Sequence, residues 1–136
     1  MKVSNEVEAP RPAQSPRPRF EANCPSRQLL DHVTSRWGVL ILVALSSGTM
    51  RWGELRRWAD GISEKMLAQT LRTLEADGLV ERQARPVVPP HVDYRLTGLG
   101  RELTALILPL MEWVGEHAPE IIGAQQRPAE QASAQP

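Results

Sequence analysis

Between Arg51 and Leu96 the chain reads as a short helix, a tight turn, a longer helix, a strand, a Pro-rich loop and a second strand. The turn and second helix are carried by Gly61-Ile62-Ser63-Glu64-Lys65-Met66-Leu67, running on to Asp77-Gly78-Leu79-Val80. Few folds accommodate that order at these lengths. Helix, turn, helix and β-wing form a compact device that holds one helix out for a DNA major groove. The expected fold class is therefore mainly α with a small β-wing, a winged helix-turn-helix.

Around this segment the sequence predicts one small domain over residues 24–122. Pro25, a favoured first helical residue, opens a helix to about Thr34. Arg36–Leu45 follows, almost wholly apolar from Gly38. Val39, Ile41 and Val43 alternate as in a strand, and periodicity alone does not separate a buried helix from a buried strand. The stop-like Ser46-Ser47-Gly48 favours the helix. A third helix is expected over Glu54–Ala59 with Gly53 at its cap, then a fourth capped by Ser63 and ended by Gly78. Leu79–Ala84 and Val92–Leu96 read as the wing strands. Thr97 opens a final helix, in which Pro109 should cause a kink or a break. Residues 1–23 carry Pro10, Pro12, Pro16 and Pro18 among charges and read as a disordered tail. Residues 123–136, rich in Ala, Gln and Pro, read as a second tail.

The fourth helix supplies the reading face. Leu67, Leu71 and Leu74 fall on one side and form a core stripe. Lys65, Gln69, Arg72 and Ala76 fall on the opposite side. Arg and Lys donate to guanine O6 and N7, and Gln pairs bidentately with adenine. Ala68 and Thr73 lie on the shoulders, within reach of a thymine methyl, and Ser63 stands at the cap. On an isolated amphipathic helix such a face is ordinary solvated surface; inside a helix-turn-helix followed by a wing it points to base and phosphate contact. Arg51, Arg56 and Arg57 near the third helix, with Arg85, His91 and Arg95 in the wing, make a basic rim suited to phosphates.

The charge is unevenly placed. Formal net charge is +0, which argues against an indiscriminate nucleic-acid binder. From Arg51 to Arg101 there are nine Lys/Arg against seven Asp/Glu, whereas from Glu102 to Ile122 there are four acids and no Lys or Arg. The final helix is thus acidic and apolar. Leu99, Leu103, Leu106, Ile107, Leu110, Met111, Trp113 and Val114 occupy an arc of roughly 160°, wider than the roughly 100° stripe that one small core uses. That excess points to a homodimer with Leu99, Leu103, Leu106, Leu110, Trp113 and Val114 at its interface, and Leu29 is the interface candidate on the first helix.

The single cysteine, Cys24, cannot pair within the chain, which suits a reducing cytoplasm. No apolar run approaches the roughly 20 residues of a membrane span, and no apolar signal core opens the chain. Cytoplasmic localisation without a membrane partner is expected. Cys24 adjoins a helix start with Arg27 nearby, a setting that favours thiolate, the reactive form; the plainer reading is a small buried hydrophobe. His32, His91 and His117 are scattered, and no catalytic set appears. His117-Ala118-Pro119-Glu120 resembles half of a metal-sensor site, but its partners are missing. No enzyme activity, metal or cofactor is expected.

Taken together, Cys24-Pro25, Arg36-Trp37, Glu54-Leu55-Arg56-Arg57, Gly61-Ile62-Ser63, Lys65-Met66-Leu67, Leu71-Arg72, Leu74-Glu75, Asp77-Gly78-Leu79-Val80, Arg82, Val88-Pro89-Pro90, Tyr94, Leu96-Thr97, Leu99-Gly100 and Glu112-Trp113 resemble the HxlR-type, MarR-like winged helix-turn-helix regulators of bacteria. The ordered set spans about residues 24–117. Trp52-Gly53, Asp60 and His91 depart from the pattern, the last standing where a wing Arg is usual. The resemblance implies a homodimeric transcription factor on palindromic double-stranded DNA, with terminal helices building the dimer. It also implies a redox- or electrophile-sensing role for the position of Cys24 in several members. The resulting expectation is a dimeric repressor, with an oxidant acting at Cys24 as inducer. The alternatives are a regulator that answers a small molecule without cysteine chemistry, and a winged-helix protein-interaction adaptor, which has no need of the Lys65-Gln69-Arg72 face.

Overall fold

The computed structural model describes residue 17 and residues 19–134, with side chains through 126. The expected N-terminal tail lies mostly outside the described residues. Contacts divide the chain into two units, residues 1–31 and 32–136.

The order of elements is α1 (Pro25–Thr34), α2 (Arg36–Leu45), β1 (Met50–Arg51), α3 (Trp52–Trp58), α4 (Glu64–Ala76), β2 (Val80–Arg85), β3 (His91–Leu96) and α5 (Gly98–Ala134). The apolar run of α2 is helical despite its alternating β-branched residues. Ser35 starts it: its hydroxyl oxygen accepts from the Gly38 N–H at 3.1 Å and its O–H donates to the His32 carbonyl at 2.9 Å. Gly38, Ile41, Leu42 and Leu45 are buried, at the i, i+3, i+4, i+7 spacing of one helix face. Tertiary burial all along that face outweighs the weak strand preference of Val and Ile.

A three-stranded antiparallel sheet runs in the order β1-β3-β2. The two-residue β1 was not expected from sequence. It is too short to show a period, and it exists because Met50 and Arg51 pair with Tyr94 and Asp93 of β3. On the sheet's inner face Val80, Tyr94 and Leu96 meet Ile41, Leu42 and Leu45 of α2, Leu55 of α3, Leu67, Leu71 and Leu74 of α4, and Ile107 of α5 in one core. Ile41, Leu42, Leu55, Leu67, Leu74, Val80 and Thr104 are the largest side chains wholly enclosed. Truncating one such leucine to Ala costs about 2–5 kcal/mol.

Two sequence expectations are corrected here. Helix α3 begins at Trp52 rather than Glu54, so Gly53 lies inside it and is not the cap. Arg51 holds the cap position, and its N–H donates to the Glu54 carboxylate at 2.8 Å. The carboxylate three residues into the helix satisfies a backbone donor that a capping side chain otherwise leaves free. The final helix, expected to kink or break at Pro109 and to end near residue 122, runs without a break from Gly98 to Ala134. It therefore includes most of what the composition suggested was a tail.

The start of α5 is tied to the wing. Thr97 Oγ1 donates to the Gly78 carbonyl at 2.6 Å and accepts from the Gly100 N–H at 3.0 Å, while the Thr97 N–H donates to the Leu79 carbonyl at 3.0 Å. Gly100 packs so close to the Leu79 carbonyl that a Cβ would overlap it.

Candidate nucleic-acid interface

Helices α3 and α4 are joined by Ala59–Ser63. Gly61 turns the chain at φ 92°, a left-handed conformation costly for residues with a Cβ. Ile62 is buried directly after it, anchoring the turn to the core. The Ser63 hydroxyl oxygen then accepts from the Met66 N–H at 3.0 Å and caps α4. Arg56, in the last turn of α3, pairs with Glu64, in the first turn of α4, at 3.3 Å. Both are well exposed, so the pair contributes about 0–1 kcal/mol.

On α4 the burial pattern separates two faces. Leu67, Thr70, Leu71 and Leu74 are buried, whereas Lys65, Gln69, Arg72 and Ala76 are exposed and Ala68 and Thr73 are half-buried. Lys65 and Arg72 form no ion pair among the described residues. Two cations and an amide thus stand on one exposed ridge with their donors uncommitted. Arg51 and Arg57 are also exposed.

The wing cations are differently placed. Arg95 faces Glu81 across the hairpin and grips it with two contacts, Nη2 at 3.1 Å and Nε at 3.3 Å. Arg85 Nη2 lies 3.4 Å from the Asp93 carboxylate, and His91 Nε2 lies 2.8 Å from its other oxygen. The Asp93 side chain is 9% exposed. A carboxylate so enclosed requires such partners. Arg85 and Arg95 are therefore not free cations, since each answers a carboxylate on the neighbouring strand, and His91 contacts Asp93 two residues along its own strand. Arg82, exposed on β2, makes no ion pair among the described residues and was not among the DNA contacts expected from sequence. Strand alternation puts it on the opposite sheet face from Glu81. The hairpin tip carries exposed Val87 and Val88 between prolines.

Away from this surface, α5 buries Gly100, Thr104 and Ile107 and exposes Leu99, Leu106, Leu110, Trp113 and Val114. Leu103, expected at the dimer interface, and Met111 are half-buried against the core, so the apolar arc is shared between the domain and an outer stripe. Trp113 stacks on His117 with ring centroids 4.3 Å apart. Leu29 on α1 is exposed.

In the N-terminal unit Cys24 immediately precedes α1 and is partly exposed. Its carbonyl accepts from the Arg27 N–H at 3.0 Å and the Gln28 N–H at 3.3 Å. The Arg27 guanidinium, expected beside the thiol, donates to the Phe20 carbonyl at 2.9 Å. Among the described residues no cluster of His, Cys, Asp and Glu is arranged to hold a metal ion, and no helix is long and apolar enough to cross a membrane.

Comparison with known proteins agrees with this architecture. The family model of HxlR-like helix-turn-helix proteins matches residues 32–121. The uncharacterized HTH-type transcriptional regulator YtfH of Escherichia coli (strain K12) is 53% identical over 110 residues, covering 81% of this chain and 87% of that protein. The solved ytfH protein from Salmonella typhimurium superposes with a TM-score of 0.73 at 52% identity, over 77% of this chain and 94% of that one. The redox regulator HypR in its oxidized form superposes with a TM-score of 0.63 at 38% identity, over 68% and 96%. By sequence and by its winged helix-turn-helix architecture, the chain belongs to the HxlR-like helix-turn-helix family of DNA-binding transcriptional regulators.

Proposed function

We propose that this protein is a cytoplasmic repressor that binds a palindromic operator as a homodimer. The observation that carries this reading is the α4 ridge: Lys65, Gln69 and Arg72 exposed, opposite a fully buried leucine stripe. Lys65 and Gln69, nearest the helix N-terminus, read base edges, and Arg72 takes a base or a phosphate. Ala68 and Thr73 approach thymine methyls, Ser63 fixes the helix start, and Arg51, Arg56 and Arg57 approach the backbone. The exposed stripe of α5, with Leu29 of α1, supplies the dimer contact. An apolar stripe of that extent on an acidic helix is covered in the working protein. Two-fold pairing then sets the reading helices about 34 Å apart, one duplex turn.

The test pairs DNA binding with oligomeric state. Lys65→Ala with Arg72→Ala is expected to abolish operator binding, measured by fluorescence anisotropy on fragments from upstream of the protein's own gene, while leaving a folded dimer. Retained binding would refute the assignment of α4, and a protein-interaction adaptor would then fit better.

One observation supports a redox response through Cys24. The residue is partly exposed beside an open depression lined by Glu21, Ala22 and Asn23, so an oxidant reaches the sulfur. Adduction or an intersubunit disulfide at Cys24 shifts the two reading heads and alters operator affinity. Titration with diamide or a quinone should change DNA affinity in the wild type and leave Cys24→Ser unaffected; an equal response in both ends this reading.

A further inference from the structure

The outer face of the wing carries its own counter-charges. Glu81, Gln83 and Arg85 of β2 stand opposite Arg95, Asp93 and His91 of β3 in register. Glu81 is held by three donors: Arg95 Nε at 3.3 Å, Arg95 Nη2 at 3.1 Å and Gln83 Nε2 at 3.3 Å. The guanidinium of Arg95 is thereby fixed along the strand in a two-pronged pair, the geometry in which arginine binds carboxylates and phosphates most strongly. Glu81 occupies the same fork that a DNA phosphate would occupy.

The two carboxylates of this face differ in kind. Asp93 is enclosed and answers two partners, so it belongs to the framework of the hairpin. Glu81 is 43% exposed and the strand does not need it for packing. Affinity for DNA of arbitrary sequence comes almost wholly from cations free to neutralise phosphates. A phosphate arriving at Arg95 must displace Glu81 and leave that carboxylate beside it, so the contact is disfavoured unless α4 already holds the duplex close.

We propose that Glu81 is a specificity-determining residue: by occupying the fork of Arg95 it withholds a wing cation from non-cognate DNA and releases it only where α4 fits its site. This rests on the reading that the wing lies along the duplex bound by α4. The chemical competitor is a backbone phosphate, whatever the base sequence.

The experiment uses the full chain and a fluorescein-labelled duplex of mixed sequence, with affinity measured by anisotropy over a range of salt concentrations. Glu81→Gln keeps the shape and removes the charge. It is expected to tighten binding to mixed-sequence DNA by about threefold to tenfold and to steepen the salt dependence by roughly one phosphate, a slope change near 0.9. In an Arg95→Ala background the same substitution should have no effect, because the gain acts through the freed guanidinium. An unchanged affinity in Glu81→Gln, or an equal gain with and without Arg95, overturns the proposal. If Lys65→Ala with Arg72→Ala also leaves duplex binding intact, the DNA-facing assignment of α4 has failed as well. If that double variant loses binding while Glu81→Gln does nothing, only the role of Glu81 is lost. Melting temperatures of each variant confirm that folded protein is compared.

Discussion

At Gly61 and Gly100 single atoms decide whether the reading unit assembles. Gly61 adopts φ 92° and lets the chain reverse between α3 and α4 with Ile62 pointing inward. Gly61→Val should destabilise the fold by about 1–3 kcal/mol, read as a lowered denaturant midpoint in urea. Gly100 differs in mechanism, because its backbone is helical and its constraint is the Leu79 carbonyl against it. Gly100→Ala must push α5 away from the wing; a loss of about 2 kcal/mol or more is expected, and a neutral result would mean that α5 shifts freely. The first glycine was legible in sequence, since Asp60-Gly61 reads as a turn. The second was not, because nothing in Leu99-Gly100-Arg101 announces the carbonyl of Leu79, just before β2, about twenty residues earlier.

At the scale of elements, the ends of α4 follow local chemistry. Ser63 caps one end and Gly78 closes the other at φ 78°. Ser63→Ala should cost about 1 kcal/mol of stability, measured by thermal melting, and should weaken DNA binding by fraying the turn that carries Lys65. Helix α5 shows the limit of local rules. A proline inside a helix removes one backbone bond and crowds the turn before it, costing about 3 kcal/mol, which is why a kink or a break at Pro109 was expected. The helix nevertheless continues, because Thr104, Ile107 and Met111 on either side are packed into or against the core. Pro109 itself is exposed. Pro109→Ala is accordingly expected to raise the melting temperature, and an unchanged or lower value would show that the proline shapes a contact the packing account lacks. The wing shows the same dependence on pairing. Arg85 and Arg95 were visible in the sequence, but the carboxylates that hold them became visible only with the register of β2 against β3.

For the whole molecule the decisive question is what covers the outer stripe of α5. Leu106 is 74% exposed and Leu110 58%, more apolar surface than a lone domain leaves in water along one helix. Leu106→Glu with Leu110→Glu should leave secondary structure intact by circular dichroism while sedimentation shifts from dimer to monomer. Operator affinity should fall at least tenfold, because one reading head then binds without its partner. A monomeric wild-type protein at micromolar concentration would remove the dimer altogether. With six to ten phosphates neutralised by the pair, the logarithm of the binding constant should decline with the logarithm of salt at a slope of about −5 to −9.

The order of elements, the buried leucine stripe of α4 with its opposite polar ridge, and the helix boundaries at Pro25, Ser63 and Gly78 were determined by the sequence itself. Periodicity, caps and turn residues act within a few positions of one another and need no knowledge of the fold. The tertiary structure alone decided that Met50 and Arg51 form a strand, that α5 continues past Pro109, and that Arg85 and Arg95 are already paired. Each of those outcomes depends on groups far apart in the chain, whose meeting is worth more than the local preference it overrides.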